Sequence, residues 1–355
     1  MHSRVITSTP IALFLGAGAS QPLGKPLMGA FVERLGERLG LKDVELFSKI
    51  VAQGEDLEHL LEELGSWADK SYFTSELYRS PFGQGPTIPT LIDREGAEFL
   101  RGLSSLIAEA ARLQEIVKLE VFKTYRDIKN PEAAVRLYDP LFDALFAKMG
   151  SGPQPLTIFT TNYDPAIETF WQQSSDRYDL FDGFENERVS ASYVWHRRSF
   201  DDFQLKPNKR NLVLFKLHGS ADWMQTREGI RKAPPVFAED ETHRNVLIYP
   251  AKNKVAQEDP FFTAYDYFQK TLESCKLLIV IGYSFRDYDA LTKLKSAALS
   301  NPSLRVLVVD IAAKHLADEL FAKGIPAEPV EGRFGFDQSG PGVLGQLQTK
   351  LLEFT

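Results

Sequence analysis

Five short apolar runs, spread over most of the chain, constrain its fold more than any other feature of the sequence. Each run is five or six residues long, is almost continuously apolar and is bounded by residues that favour turns. Runs of this kind indicate strands that are covered on both faces, as the strands of parallel sheets are. The predicted strands are 11–15, 156–160, 212–217, 277–281 and 304–309.

Helical patterns follow three of these strands, at 165–173, 288–299 and 312–323. Strands that alternate with helices are typical of an α/β fold. We therefore predict a Rossmann-like, doubly wound parallel sheet. Two segments, 178–211 and 224–260, show few periodic signals and receive no assignment.

A long helical stretch separates the first two predicted strands. Apolar residues recur at helical spacing through 43–68 and 94–125. The segment 75–93 is rich in proline and glycine and is predicted to be the loop between them. We interpret residues from about 41 to 150 as a helical insertion in one domain that spans residues 1–355.

Composition excludes several classes of function. The chain has 355 residues, a net charge of −7 and no block of Lys and Arg, so direct, sequence-specific binding of nucleic acid is not expected. No apolar stretch approaches the roughly 20 residues that a membrane span requires, and the first residues do not resemble a secretion signal. We therefore expect a cytoplasmic protein without a membrane anchor.

Cys275 is the single cysteine of the chain. One cysteine excludes an intrachain disulfide and a cysteine-based zinc site. Because Cys275 directly precedes an apolar run, we interpret it as a buried residue rather than a reactive thiol.

Small, polar or titratable residues follow every predicted strand. In open α/β sheets, ligands bind at the carboxyl ends of the strands. This coincidence favours a nucleotide site at that edge. The segments concerned are 16–20, 161–164, 218–220 and 282–285, together with Asp310.

The glycine-containing segments also have structural interpretations. Gly16 and Gly18 fit the start of a dinucleotide fingerprint, but Gln21 stands where its third glycine would fall, so a tight turn is an equally good interpretation. Gly282 and Ser284 could likewise form a simple turn and a helix cap.

The polar residues have structural interpretations as well. Asp164 precedes a proline, which is typical of a helix start, so we prefer a capping role for it. For Asn162 we prefer a functional role, because one helix does not need two Asx caps. His218 could be a core histidine, and Asp310 could cap the last helix.

Taken in order, the motifs GAGAS, TTNYD, KLHGS, GYSF and VVD resemble the nicotinamide-dinucleotide signature of the sirtuin family. The first motif continues with Gly24 and Pro26 at matching places, but Leu27 and Gly29 replace an acidic residue and an arginine. A single cysteine cannot build the four-cysteine zinc module of the protein-deacylating members. These features resemble the bacterial sirtuin-like branch that acts against phages and plasmids.

That resemblance implies an NAD+ glycohydrolase, which converts NAD+ to nicotinamide and ADP-ribose and acts as a defence effector by depleting NAD. NAD is then a substrate, and no metal is needed. By resemblance, Asn162 holds the nicotinamide-side ribose and orients water. His218 acts as general base, since imidazole accepts protons near neutral pH.

The resemblance also implies the groups that hold the dinucleotide. The glycines and the N–H groups of Ala19 and Ser20 face the pyrophosphate, Ser284 contacts the phosphates or the adenosine ribose, and Asp310 binds the adenosine ribose. The full predicted set is Gly16, Ala17, Gly18, Ala19, Ser20, Thr161, Tyr163, Asp164, Gly282, Ser284, Phe285 and Asp310.

Two other functions stay open: a regulatory module that binds NAD or ADP-ribose without turnover, and an NAD-dependent protein deacylase. An enzyme that depletes NAD requires restraint, so we expect a homo-oligomer or a separate sensor, such as a ring-forming DNA-translocating ATPase or a short Argonaute. The chain has no G-x-x-x-x-G-K-[ST] loop, so an ATPase activity would come from another protein.

Overall fold

The computed structural model of the chain describes residues 6–7, 9–41, 44–52, 57–68, 94–150, 152, 154–187, 192–226, 229–232, 244–247, 259–336 and 342–353. The predicted loop 75–93 lies outside the described residues. The chain divides into two compact units. The first comprises Met1–Leu27, Thr124–Ile248 and Lys252–Thr355, and the second comprises Met28–Lys123 and Tyr249–Ala251.

A parallel sheet of seven described strands organises the first unit, and a smaller antiparallel sheet accompanies it. The strand order is β12-β11-β10-β1-β2-β6-β3 in the first sheet and β4-β5-β8-β7-β9 in the second. The bounds are β1 Ile11–Leu15, β2 Leu156–Thr160, β3 Tyr178–Phe181, β4 Phe184–Glu187, β5 Ser192–Trp195, β6 Arg210–Lys216, β7 Gly219–Thr226, β8 Gly229–Lys232, β9 Arg244–Leu247, β10 Leu277–Ile281, β11 Arg305–Asp310 and β12 Ala327–Glu331.

The predicted fold class is confirmed. All six pairings of the seven-stranded sheet are parallel. The five predicted strands are β1, β2, β6, β10 and β11, and three of them have the predicted bounds. The edge strands β3 and β12 and the whole antiparallel sheet were not predicted.

Alternation within β1 shows why its sequence is continuously apolar. Ile11, Leu13 and Leu15 belong to one buried cluster, whereas Ala12 and Phe14 belong to another on the opposite face. Helices therefore cover both faces of the sheet, as parallel sheets require. Full burial of each large apolar side chain contributes about 1.5–3 kcal/mol.

The helices of the first unit surround this sheet. The very short helix α1 (Ala17–Ser20) follows β1 directly. The remaining helices of this unit are α6 (Pro131–Met149), α7 (Ala166–Gln173), α8 (Phe261–Ser274), α9 (Tyr288–Ser300), α10 (Ala313–Ala322) and α11 (Gly342–Glu353). Helix α6 lies within the predicted insertion but belongs to the first unit.

The described secondary-structure elements of the second unit are all helices. An ion pair joins Arg38 to Glu120 within it. Its helices are α2 (Met28–Arg38), α3 (Glu45–Val51), α4 (Leu57–Ala68) and most of α5 (Arg94–Tyr125), which has the predicted bounds. None of the helices in the described part of the chain is long and apolar enough to span a membrane.

Candidate functional site

The topological switch point of the sheet lies at β1. The chain leaves β1 for β2 on one side, and β10 later pairs with its other side. A crevice forms at the carboxyl ends of such strands and is the usual ligand site of open α/β sheets. The segments that follow β1 and β10 are 16–20 and 282–285, two of the segments predicted to hold a ligand.

Glycines let these two segments touch through their backbones. The N–H of Gly18 donates to the carbonyl oxygen of Gly282 at 2.9 Å. A Cβ added at Gly282, whose φ is +63°, would lie 2.5 Å from the Cα of Gly18, and one added at Gly16 would lie 2.5 Å from the oxygen of Gly282. The three glycines are therefore needed for contact between the segments, a role that the sequence did not indicate.

One group predicted to face a pyrophosphate, the N–H of Ala19, is instead occupied by a protein contact, and the hydroxyl of the neighbouring Ser20 is also hydrogen-bonded. The N–H of Ala19 donates to the oxygen of Gly16 at 2.9 Å. The hydroxyl of Ser20 donates to Oδ1 of Asp164 at 3.1 Å. Ala17 lies half-buried in the same short helix, α1.

Asn162 fastens the end of β2 to this glycine segment. Its amide nitrogen donates to the oxygen of Gly16 at 2.8 Å and to Oγ of Ser20 at 3.1 Å. Since a backbone carbonyl only accepts, the nitrogen of the amide must face Gly16. The amide oxygen of Asn162 has no hydrogen-bond partner among the described residues, so an acceptor remains for a ligand.

Asp164 has a structural role at the start of α7, although Pro165 rather than Asp164 occupies the N-cap position. Its Oδ1 accepts from the backbone N–H of Ala166, the first residue of α7, at 3.1 Å. Its carbonyl oxygen accepts from the ammonium of Lys216 at 2.6 Å, and the same ammonium lies 3.3 Å from Oε1 of Glu168. Burial raises the pKa of Glu168, and the charge of Lys216 opposes that rise.

Thr161 and Tyr163 connect neighbouring strand ends. The N–H of Thr161 donates to the oxygen of Leu15 at 3.3 Å. The carbonyl of Tyr163 accepts from the N–H of Ala221 at 2.9 Å and from the hydroxyl of Ser220 at 3.1 Å. Both predicted residues therefore hold the site together through their backbones.

His218 is part of a buried network that reaches across the switch point. Its Nε2 lies 2.8 Å from Oδ2 of Asp287 and 3.3 Å from the hydroxyl of Tyr265, which donates to the same carboxylate oxygen at 2.9 Å. His218 follows β6 and Asp287 follows β10, with β2 and β1 between them in the sheet. The side chains of His218 and Asp287 are only 3% and 6% exposed.

The charges of this network are defined by burial and by hydrogen bonds. Burial alone would raise the pKa of Asp287, but the hydrogen bond and the charge of His218 outweigh it, and the pKa lies below its ordinary value. Burial and the neighbouring Asp287 raise the pKa of Tyr265 well above its ordinary value. The carboxyl is therefore ionised and the phenol neutral near pH 7.

The sequence did not reveal Asp287 or Tyr265 as site residues. Asp287 carried a usable signal, because an Asp that precedes a helical pattern predicts an N-cap, and its Oδ1 does accept from the N–H groups of Asp289 and Ala290. Tyr265 lies on α8, which was not predicted. Nothing local in either segment indicates the contact with His218.

Ser284, Phe285 and Asp310 also lie at the carboxyl edge of the sheet. Ser284 is exposed, while Phe285 is buried with a φ of +57°, a strained conformation for a bulky residue that often marks functional turns. Oδ1 of Asp310 accepts from the N–H of Ala312 at 2.9 Å, in the turn that precedes α10. The N-cap residue of α10 is Ala312, so Asp310 does not cap that helix. The described hydrogen bonds and ion pairs do not connect Ser284 or Asp310 to His218.

Part of the carboxyl edge of the sheet lies in a region that matches a known protein family. Residues 156–322 match the SIR2-like domain family. The match covers slightly less than half of the chain. Within it lie the three polar groups of the switch point: Asn162, His218 and Asp287.

Solved structures of Sir2 proteins also align with the chain. A Sir2 enzyme structure, concerned with mechanism and regulation, is 11% identical, with 99% of this chain and 95% of that chain covered and a TM-score of 0.43. A Sir2 homologue in complex with NAD is 12% identical, with 99% and 91% covered and a TM-score of 0.36. The search of curated proteins returned no match.

The SIR2-like region ends before α11 and begins after the glycine segment 16–20. The assignment of that segment to the same site therefore depends on its contacts with Asn162 and Gly282. Among the described residues, no group of three or more His, Cys, Asp or Glu side chains is arranged to hold a metal ion.

Proposed function

We propose that the chain is an NAD+ glycohydrolase, which cleaves the bond between nicotinamide and C1′ of its ribose. One observation supports this most directly. Across a single switch point, the amide oxygen of Asn162 lies beside the glycine segment without a hydrogen-bond partner in the described part of the chain, and His218 is held by Asp287. The resemblance to sirtuins and the SIR2-like match over 156–322 suggest NAD as the ligand.

The reaction requires a positioned water and a group that accepts its proton. The water oxygen bonds to C1′ while the C1′–N bond breaks and its electron pair leaves with nicotinamide. Positive charge develops on the ribose as this bond lengthens. In this proposal the amide oxygen of Asn162 accepts a hydrogen bond from the water or a ribose hydroxyl, and Nδ1 of His218 takes the proton.

The remaining predicted residues belong to the proposed binding site of the dinucleotide. Because the N–H of Ala19 is already used within α1, the proposed phosphate contacts fall on the N–H groups of Ala17 and Ser20 and on the exposed hydroxyl of Ser284. Asp310 keeps Oδ2 for the adenosine ribose while Oδ1 caps the following turn. No metal takes part in this scheme.

The test is incubation of the purified protein with NAD+, followed by chromatography of nicotinamide and ADP-ribose. We expect release of both by the wild type and none by Asn162→Ala or His218→Ala, with circular dichroism showing that both variants fold. Full turnover by either folded variant would contradict the assignment. Binding of NAD+ without release would favour the regulatory module, and NAD-dependent deacetylation of a peptide would favour the deacylase.

We further propose that this activity serves defence against phages or plasmids by depleting NAD. The support is the resemblance to the bacterial sirtuin-like branch. The NAD-cleaving activity would be controlled by self-assembly or by a separate sensor, such as a DNA-translocating ATPase or a short Argonaute. NAD concentrations in infected cells that carry the wild type or His218→Ala test this role. Equal NAD levels in both would count against it.

A further inference from the structure

The carboxylate of Asp287 makes two separate sets of contacts. Its Oδ1 accepts from the N–H groups of Asp289 and Ala290 at 2.9 and 3.2 Å and so caps α9. Its Oδ2 faces Nε2 of His218 and the hydroxyl of Tyr265. A residue needed only for the helix would not place its second oxygen on an imidazole.

The proton positions follow from the chemistry of these groups. An ionised carboxylate only accepts hydrogen bonds, and the single proton of the Tyr265 hydroxyl is committed to Oδ2 of Asp287. The phenolic oxygen can then only accept from Nε2, which lies 3.3 Å away. Both neighbours of Nε2 are acceptors, so Nε2 must carry the proton.

We infer that Asp287 and Tyr265 are positioning residues that hold neutral His218 in the tautomer with its proton on Nε2, which leaves the lone pair on Nδ1. The catalytic meaning of this inference rests on the proposed function. Nδ1 has no hydrogen-bond partner among the described residues. A histidine held through one nitrogen by a carboxylate presents the other nitrogen in a fixed direction.

Asp287→Asn tests the inference without removing the helix cap. The amide oxygen still accepts from the first N–H groups of α9, but the amide nitrogen now donates toward Nε2 of His218. Nε2 must then accept, and the ring proton moves to Nδ1. We expect kcat for nicotinamide release to fall by about 100-fold or more, as it does when a proton-accepting histidine is held in the wrong tautomer.

Asp289→Asn is the matched control. Asp289 lies two residues further along in the first turn of α9, and its charge acts on Asp287 and His218 without a hydrogen bond to the ring. We expect its kcat to stay within about threefold of wild type, since the ring of His218 keeps both its tautomer and its hydrogen bonds. Tyr265→Phe leaves Asp287 in place, so we expect the same tautomer and a kcat lowered by roughly 3- to 10-fold.

NMR of the imidazole nitrogens measures which ring nitrogen of His218 carries the proton. This property would not change if Asp287 served only to stabilise the fold. At a pH where the ring signals are those of a neutral imidazole, the wild type should show a protonated Nε2 and an unprotonated Nδ1 for His218, with the signals assigned from their loss in His218→Gln. Asp287→Asn should show the reverse, and Asp289→Asn the wild-type pattern.

A wild-type spectrum with the proton on Nδ1 would overturn the inference, as would normal turnover by folded Asp287→Asn. The wild-type spectrum alone decides the tautomer if that variant does not fold. If the wild type shows the expected tautomer but releases no nicotinamide, the proposed function fails and the hydrogen-bond assignment stands.

Discussion

Two buried ionisable side chains at the end of β6, only two residues apart, belong to different networks. The ammonium of Lys216 contacts the carbonyl of Asp164 and the carboxylate of Glu168, both at the start of α7. The imidazole of His218 instead reaches Asp287, beyond β2 and β1. Their side chains are about equally buried, at 2% and 3% exposed.

The two networks differ in whether a polar atom remains without a hydrogen-bond partner in the described part of the chain. The Lys216 pair joins β6 to the helix beside it, and its contacts are internal to the fold. The His218 network fixes one ring nitrogen and keeps the other without a partner among the described residues. Burial of a charge costs free energy in both places, but only the second arrangement retains a proton acceptor. Burial alone therefore does not distinguish a structural ionisable group from a candidate catalytic one.

The largest effect on stability is expected for Lys216→Met. This change removes one partner of a buried ion pair and leaves the Glu168 carboxylate and the Asp164 carbonyl without their donor. We expect the free energy of unfolding to fall by about 3–5 kcal/mol, measured by urea denaturation. The double variant Lys216→Met/Glu168→Leu should regain much of the loss, because it leaves no uncompensated charge.

His218→Gln is the control on the other side of the comparison. A glutamine amide can still donate to Asp287, so the free energy of unfolding should change by no more than about 1 kcal/mol. Nicotinamide release should nevertheless fall by about 100- to 10,000-fold, the usual contribution of a general base. A large loss of stability here, or a small one in Lys216→Met, would break the distinction between the two networks.

The strands at the centre of the sheet could be predicted because their signal is local. Strands such as β1 and β10 are buried on both faces and therefore read as continuous apolar runs. The edge strands β3 and β12 lack that signal, and β12 also contains Pro329, which argues against a strand. The antiparallel sheet falls largely in segments that showed few periodic signals.

The candidate site could be predicted only in part, for a related reason. Asn162 and His218 follow recognisable strands, so their place at one edge was predictable from the order of elements. Their partners were not, because His218 and Asp287 are 69 residues apart, and Lys216 and Glu168 are 48 apart. Such pairs are determined by the strand order, which single-sequence periodicity does not give.

The carboxylates of the two networks should respond to pH in opposite directions. The pKa of Asp287 is lowered from 3.8, so the folded protein binds fewer protons than the unfolded chain, and its contribution is lost as the pH falls below about 4. The pKa of Glu168 is raised from 4.5, so the folded protein binds more protons, and stability is lost as the pH rises above about 4.5.

Urea denaturation across this pH range measures both effects, with each variant compared to wild type. Asp287→Asn should lose less stability than wild type as the pH falls below about 4. Glu168→Gln should lose less as the pH rises from about 4.5. Parallel curves for either variant and the wild type would show that its carboxyl has no shifted pKa in the folded protein.

The smallest effect is expected at Cys275, which belongs to the same buried cluster as Leu278 and Val280 of β10. Burial raises the pKa of its thiol to about 12, so a maleimide at about pH 8 should react only through opening of the fold. Because this is the single cysteine of the chain, its labelling rate reports folding in every variant. Wild type and His218→Gln should react at the same slow rate, and Lys216→Met at least about tenfold faster. Rapid stoichiometric labelling of the native wild type would show that the cluster around β10 is open, and Cys275→Ser, which should not react, controls for attack on other groups.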